Sequence, residues 1–406
     1  MKLFKLFFLS LLFVVFVLPC AQAEVKKGDV HIAALTKIID TNMKLSGEKT
    51  AGKSFSRFDE LYLSNGKIVF QGYIGKEKVA LYTTLHNMLE TVVDQSVQVP
   101  EEKSYFRSFS QPILFDQTII FLAKGTGGTT GIYRFEKGKI SVVVNQDTVI
   151  PNTKDQRFTD FMNPGIMSDG KIGFIGMGVN SAGIYSVDEK GNIKMLVDNQ
   201  TNIPKGKGNF INFSHLAFSK VKDNSDDFIF WATGQGRERG LYLSHKGKPQ
   251  MIANQNTPIP GGSGFFVRAN QLRFDAKNNN ISFVGEGVIG QQGVYFYDGK
   301  NILKVADQKT VIPDELDQFT SFGDIDLEDG KVIFCATGHK GFDGVYLYTS
   351  DAIFKVLTTL DKVGGQAIQH FDLGNRSFEK DQLALILKLK DNSSGIYVTQ
   401  LKLVLF

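Results

Sequence analysis

The chain is poor in cysteine, in tryptophan and in unbalanced charge. Its 406 residues include two Cys, Cys20 and Cys335, and a single Trp, Trp231. If Cys20 is lost with an export leader, Cys335 stands alone, no intramolecular disulfide can form, and stability in an oxidising compartment must come from the core. Lys and Arg number 46 against 42 Asp and Glu, which gives no electrostatic footprint for nucleic acid or for an anionic membrane. Long apolar runs are missing after residue 18, so no transmembrane helix is expected in the mature chain. The six His residues show no H-x-x-x-H spacing, and no C-x-x-C, G-x-S-x-G or D-x-[DN]-x-[DN]-G motif occurs. No metal site, cofactor or catalytic residue is therefore assigned from motifs.

What the chain has in quantity is glycine, with 41 residues, and phenylalanine, with 34. That combination points to many short strands joined by tight turns. Residues 1–23 read as a secretory signal peptide. Lys2 and Lys5 form the basic n-region, residues 6–18 the apolar run, and Ala21-Gln22-Ala23 the cleavage site. The mature protein is expected to begin at Glu24 and to be exported, periplasmic or extracellular. Pro19 stands where a lipoprotein signal would carry a small residue, which argues against a lipidated Cys20.

Two unrelated sequence elements recur in phase. A short apolar-Tyr strand ends at Tyr82, Tyr133, Tyr185, Tyr242, Tyr295, Tyr346 and Tyr397, with spacings of 51, 52, 57, 53, 51 and 51. An Asp/Asn-x5-Pro loop keeps the same period at Asp94, Asn145, Asp198, Asn254 and Asp307. Within the unit of residues 151–198, four strands are expected at 161–167, 171–176, 183–187 and 193–197, with turn residues between them. Four strands per unit, seven times over, predict an all-β fold, a seven-bladed β-propeller of antiparallel four-stranded blades filling residues 24–406 as one domain. The seventh unit has little chain left for a fourth strand, and residues 35–40 match that pattern. An N-terminal strand is therefore expected to close the last blade beside residues 395–398, with the apolar tail at 399–406 competing for the same slot.

Most repeated side chains have packing explanations. Phe70, Phe121, Phe174, Phe230, Phe283 and Phe334 share one strand position, each followed two residues later by Gly or Ala, as expected where a large ring meets a small residue between neighbouring sheets. Phe58, Phe109, Phe161, Phe213 and Phe322 repeat at the start of the first strand. Trp231 and Cys335 occupy one equivalent slot and are read as core. Gly47-Glu48-Lys49-Thr50-Ala51-Gly52-Lys53-Ser54 satisfies the Walker A pattern, but a first-strand signature follows it in place of a helix, so it is read as an exposed loop.

Departures from the repeat mark the candidate site. Two residues after the first-strand Phe position stand Glu60, Gln111, Asn163, His215, Gln271, Asp324 and Leu373, and just before it Arg57, Arg107, Asp160 and Arg268. A varied polar set at one pseudo-symmetric position near the channel mouth is where a ligand site would differ from its scaffold. Arg57, Glu60, Arg107, Asn163, His215, Arg268, Gln271 and Asp324 are the candidate ligand-binding residues. Solvated channel lining is the competing account of the same side chains.

The stretches Val305-Ala306-Asp307-Gln308-Lys309-Thr310-Val311-Ile312-Pro313, Phe319-Thr320-Ser321-Phe322, Asp329-Gly330-Lys331-Val332 and Gly344-Val345-Tyr346 resemble an uncharacterised family of secreted bacterial tandem-repeat proteins with NT-x-IP loops, a GxGxFxxF stretch and a GIY strand. More loosely, the chain is similar to TolB-like propeller repeats. The resemblance covers about residues 40–397 and implies a propeller and export; it lends no catalytic residues. Two functions from different classes follow. One is a non-enzymatic binding module, expected to be a monomer, whose loop face holds a protein, peptide or glycan. The other is a hydrolase or lyase with a polar site at the channel mouth drawn from Glu60, Asp160, His215 and Asp324.

Overall fold

Each unit of about fifty residues folds into one antiparallel sheet of four strands in sequence order. A computed structural model describes residues 28–45, 52–76, 78–219, 226–341, 343–349 and 351–405. The signal-peptide reading, Glu24 and most of the Walker-like stretch lie outside the described residues. Six blades occupy residues 57–94, 106–145, 158–198, 210–254, 266–307 and 319–358, each a separate four-stranded sheet. The seventh takes Gln366–Asp372, Gln382–Leu389 and Ser394–Leu405 from the C-terminus and Thr36–Asp40 from the N-terminus. Helix is confined, among the described residues, to two single 3-10 turns, Gln235–Arg237 and Val288–Gly290.

The closing strand lies where the repeat phase predicts. Thr36 pairs with Val398 and Asp40 with Gly395. The C-terminal tail does not compete for this slot. It prolongs the third strand of the blade, and Gly28–Ile32 pairs with that extension, from Gly28 opposite Leu405 to Ile32 opposite Leu401. Two N-terminal strands thus cover one long C-terminal strand along its length, which leaves neither half of it as an open edge.

In the third blade the four strands run over Phe158–Ile166, Ile172–Gly178, Ser181–Val187 and Ile193–Asp198. The first begins three residues before the expected start, because Phe158 pairs with Gly178 across the hairpin. Tight turns follow the sequence closely. Asn65-Gly66, Lys137-Gly138 and Asp329-Gly330 have positive φ at both residues, the geometry that matches the twist of a two-residue hairpin.

The aromatic repeat packs inside each blade. In the third, Tyr185 meets Phe158 edge-on at 5.0 Å and stacks on Phe174 at 5.8 Å; the first and second blades repeat this arrangement. The small residue after the second-strand Phe is set by the same blade and not by its neighbour: a Cβ on Gly176 would lie 2.5 Å from the Phe158 ring. The Gly of the GIY strand has its own reason. A Cβ at Gly183 would stand 2.8 Å from the Val197 carbonyl and 3.1 Å from the Tyr185 ring. Burial pushes the Tyr185 hydroxyl up to about 12.

The Asp/Asn-x5-Pro loops are also self-contained. Asn145 Oδ1 accepts from Asp147 N at 3.0 Å and from Thr148 Oγ1 at 3.2 Å, and Asp198 and Asp307 repeat the turn. The Gln that follows reaches the next blade: Gln146 Nε2 donates to Thr159 O at 2.6 Å, and Gln308 Nε2 to Thr320 O at 3.0 Å.

Candidate functional site

The first strand of every blade lines the central channel, and the polar repeat position falls where that strand bulges. In five blades two residues on the first strand face one on the second, at residues 60–61, 111–112, 163–164, 271–272 and 323–324. Glu60, Gln111, Asn163 and Gln271 have left-handed φ of 55, 52, 48 and 51°. A bulge turns its side chain out of the sheet, so these residues leave the blade surface and point toward their neighbours around the ring.

What they form is a partial girdle of hydrogen bonds between adjacent blades. Gln271 Nε2 donates to Asp324 Oδ1 at 3.0 Å, Asn375 Nδ2 to Glu60 Oε2 at 2.6 Å, and Gln111 N to the same Glu60 oxygen at 3.1 Å. Asp372 closes the gap between the sixth and seventh blades: its carboxyl is hydrogen-bonded to that of Asp324 and accepts from Gly374 N at 2.6 Å. Burial holds Glu60, Asp324 and Asp372 above the usual carboxylate range, and the Asp324 charge adds to the shift of Asp372. Two carboxyls this close share a proton more readily than they both ionise.

Arg57, Arg107, Asp160 and Arg268 lie nearer the start of the first strands, toward the long loops, while His215 stands at the repeat position of the bulge row. Arg57 is exposed, 3.8 Å above the Tyr73 ring and 3.8 Å from Asp59. Arg107 and Arg268 are exposed, and the carboxylate of Asp160 accepts from Phe161 N at 2.9 Å. His215 pairs in register with Trp231. Burial, and then the nearby Arg268, lower its basicity, with Glu286 opposing. Glu60 and Asp324 thus meet around Asp372, and His215 meets Arg268, while Asp160 joins neither group.

A cavity of about 520 Å³ occupies the other half of the channel, between the bulge row and the tight turns that join first to second strands. Ile113, Pro164, Ile166, Leu216 and Phe218 form an apolar wall on blades two to four; Arg273, Asn375 and Arg376 face them. Arg376 enters through an enlarged bulge. Between Asp372 and Phe378, five residues face only two on the second strand. Gly374, at φ 63°, lets this segment press on the first blade, where a Cβ would lie 2.5 Å from Leu61 O. Asn375 N then donates to Leu61 O at 2.9 Å, and Leu63 N to Arg376 O at 2.7 Å. The guanidinium crosses the channel and donates to Phe218 O in the fourth blade. Beside it Arg273 lies 3.6 Å from Asp326, a buried carboxylate that also accepts from Ser377 N and Phe378 N, each at 2.9 Å.

Asp372, Asn375, Arg376, Arg273 and Asp326 escaped the sequence reading. One signal was present: Leu373 is the single apolar residue at the polar repeat position, and in the structure it is fully buried. That misfit marks the register change that brings Asp372 and Arg376 into the channel. Among the described residues no cluster of three or more His, Cys, Asp or Glu has the arrangement of a metal site. Trp231 is core as expected, but Cys335 is only half-buried; burial still holds its thiol well above the ordinary range.

Comparison with known proteins agrees on architecture and stops there. Residues 116–280 match the model of a family of unknown function, DUF7453. No curated protein matches the sequence. The β-propeller domain of the Trilobed protease from Pyrococcus furiosus, described as having an open velcro topology, superposes with a TM-score of 0.54 at 11% identity, over 86% of this chain and 98% of that one. Saccharomyces cerevisiae Sqt1 gives 0.40 at 10% identity, over 91% and 99%. A Mycobacterium tuberculosis puromycin-hydrolyzing peptidase gives 0.42 at 8% identity, over 89% of this chain and 62% of the peptidase. The chain is a velcro-closed all-β propeller, similar in fold to the propeller domain of the Trilobed protease.

Proposed function

We propose that this protein is an exported, non-enzymatic binding module whose long-loop face docks onto another folded protein. The observation that carries this reading is the placement of exposed apolar side chains. Of the thirteen large hydrophobic residues exposed among the described residues, all but Met88 and Leu89 lie on the connections from fourth to first strand or from second to third, or just beside them. Those connections emerge on one face. Tyr105, Phe265, Ile289, Val311 and Leu316 are examples, and Ile289 and Leu316 are fully exposed.

The Asx residues of the same loops and the Gln beside them are engaged in turns and in bonds to the next blade, while the exposed apolar side chains have no such partner. Two cavities, lined by residues of the tight turns, lie on the other face. An exposed, spread apolar surface suits a macromolecule better than a small ligand. Near-neutral charge disfavours nucleic acid and anionic lipid, and two exposed aromatics are few for a glycan platform. Export is supported by the leader pattern of residues 1–23.

A photo-crosslinking residue at position 289, in cells that make the full chain, should give one discrete protein adduct that Leu316→Asp abolishes without changing the melting temperature. An adduct to lipid, self-adducts alone, or an adduct that ignores Leu316→Asp would overturn the reading. The hydrolase or lyase alternative has one observation in its favour, the Asp324–Asp372 pair. Against it, Gln271 and Gly374 N already occupy those carboxyls.

A further inference from the structure

We propose that the tight-turn half of the channel is a separate binding site for a small organic carboxylate with an apolar body, its charge on Arg376 and its hydrocarbon against blades two to four. This site is independent of the loop-face reading.

Most charges that line the cavity have partners within it. Glu60 accepts from Gln111 N and Asn375; Glu379 accepts from Asn65 N, and Glu328 from Lys380 N. Lys380 Nζ donates to Asn65 Oδ1 at 3.0 Å. Arg273 faces Asp326. Arg376 differs from the paired carboxylates and from Arg273, and unlike the exposed Lys380 it is half-buried inside the channel. No carboxylate of the described residues lies within 4.0 Å of it. A guanidinium carries five N–H donors in a planar fork, and the main-chain carbonyl of Phe218 is the one acceptor that the described residues give this side chain. The Tyr62 ring, 6.0 Å away, offers a π face and no acceptor for the fork. A cation held by an inserted segment, with donors to spare and no carboxylate of the described residues against it, is complementary to a carboxylate, which takes two parallel N–H bonds from the fork.

The opposite wall sets the remainder of the ligand. Ile113, Pro164, Ile166 and Leu216 are apolar, and the Phe218 ring is seated where a Cβ on Gly165 or Gly173 would come within 2.2 Å of it. Two glycines of the third blade therefore make room for that ring and fix the wall. About 520 Å³ lies within the range of small-molecule sites, and the division into a cationic side and an apolar side selects an amphipathic anion over a sugar or a bare inorganic ion.

The test uses calorimetric titration of the mature chain with acetate, hexanoate and octanoate, and with octanol and octanamide as uncharged controls. Affinity should rise at least tenfold from acetate to octanoate, and octanoate should bind at least tenfold more tightly than either control. Arg376→Gln should abolish that preference for the charged ligand. Leu216→Trp, which fills the cavity and leaves the guanidinium in place, should remove octanoate binding as well. If Arg376→Gln does not fold, hydrogen exchange on the unmodified protein decides: octanoate should protect the amides of residues 373–377. Equal binding of octanoate and octanamide, unchanged affinity in Leu216→Trp, or no protection of residues 373–377 would each overturn the proposal. Binding of phosphate as tight as that of octanoate would overturn the apolar half of it.

Discussion

Asp324 in the sixth blade and Asp372 in the seventh share a hydrogen bond between their carboxyl groups at the level of the channel bulge, and burial holds both above the ordinary carboxylate range. An unfolded Asp gives up its proton at a lower pH than the folded pair does. Between those values the native state holds more protons than the unfolded chain, so stability falls as pH rises. The contribution of the pair is complete below the unfolded value and is lost as pH climbs through the folded ones. Asp372→Asn keeps an acceptor for Gly374 N and supplies an amide donor to Asp324. It should stabilise the domain by about 1 kcal/mol at pH 7, and the gain should vanish near pH 4. Urea denaturation across pH 4 to 7.5 measures both.

Asp326 has the opposite role. Its carboxylate is almost fully buried and faces Arg273 while accepting two main-chain N–H groups of the seventh blade. Asp326→Ala leaves a buried guanidinium without its charge partner and two amides without an acceptor, which should cost roughly 3 to 5 kcal/mol. Thermal melting at neutral pH checks this, and Asp326→Asn should lose less.

At Gly183 the tyrosine two residues on and the Val197 carbonyl leave little room for a Cβ, although the first blade carries Ala80 at the equivalent position. Gly183→Ala would drive a methyl group into the Val197 carbonyl and the Tyr185 ring. The expected cost is about 1 to 3 kcal/mol. The same change at Gly191, where a Cβ meets nothing but φ is 81°, should cost only about 1 kcal/mol of backbone strain.

Ring closure predicts a larger loss. Removing the chain through Asp40 strips both N-terminal partners from Ser394–Leu405, leaving Gln382–Leu389 on its other side. The truncated domain should lose several kcal/mol and gain a tendency to self-associate through the open edge. Light scattering and melting read the two effects separately; a truncated form that melts like the parent would remove the closure argument.

Legibility followed the period. Tyr185, Asp198 and Gly183 recur in register because each blade must solve the same packing problem, so seven copies in one chain reveal them. The closing strand was readable for the same reason. The channel was only half readable. Glu60, Gln111, Asn163 and Gln271 stood out as polar, but their left-handed bulge depends on strand register, which composition does not carry. Arg376 belongs to the last and most irregular unit, where insertion destroys the comparison that exposes everything else. The loop-face hydrophobics were hidden differently: Val311 and Leu316 look like core in any hydropathy reading, and only the fold places them outside.

Ile289 brings these strands of argument to one side chain. The short turn between second and third strands of the fourth blade places Gly236 at φ 68° and ψ 16°; the fifth blade repeats it with Ile289 at φ 64° and ψ 33°. A β-branched residue is poorly suited to that region, and this one is fully exposed, so it has no packing to offset the strain. Val288 and Phe265 lie exposed beside it. Backbone strain that no intramolecular contact repays is a mark of a functional position. Ile289→Gly restores the fourth blade's solution and should raise stability by about 1 kcal/mol, while weakening docking of a loop-face partner by tenfold or more. Melting temperature and partner affinity should therefore move in opposite senses. A variant that is more stable and binds the partner as tightly as before would show that the fifth-blade turn lies outside the interface.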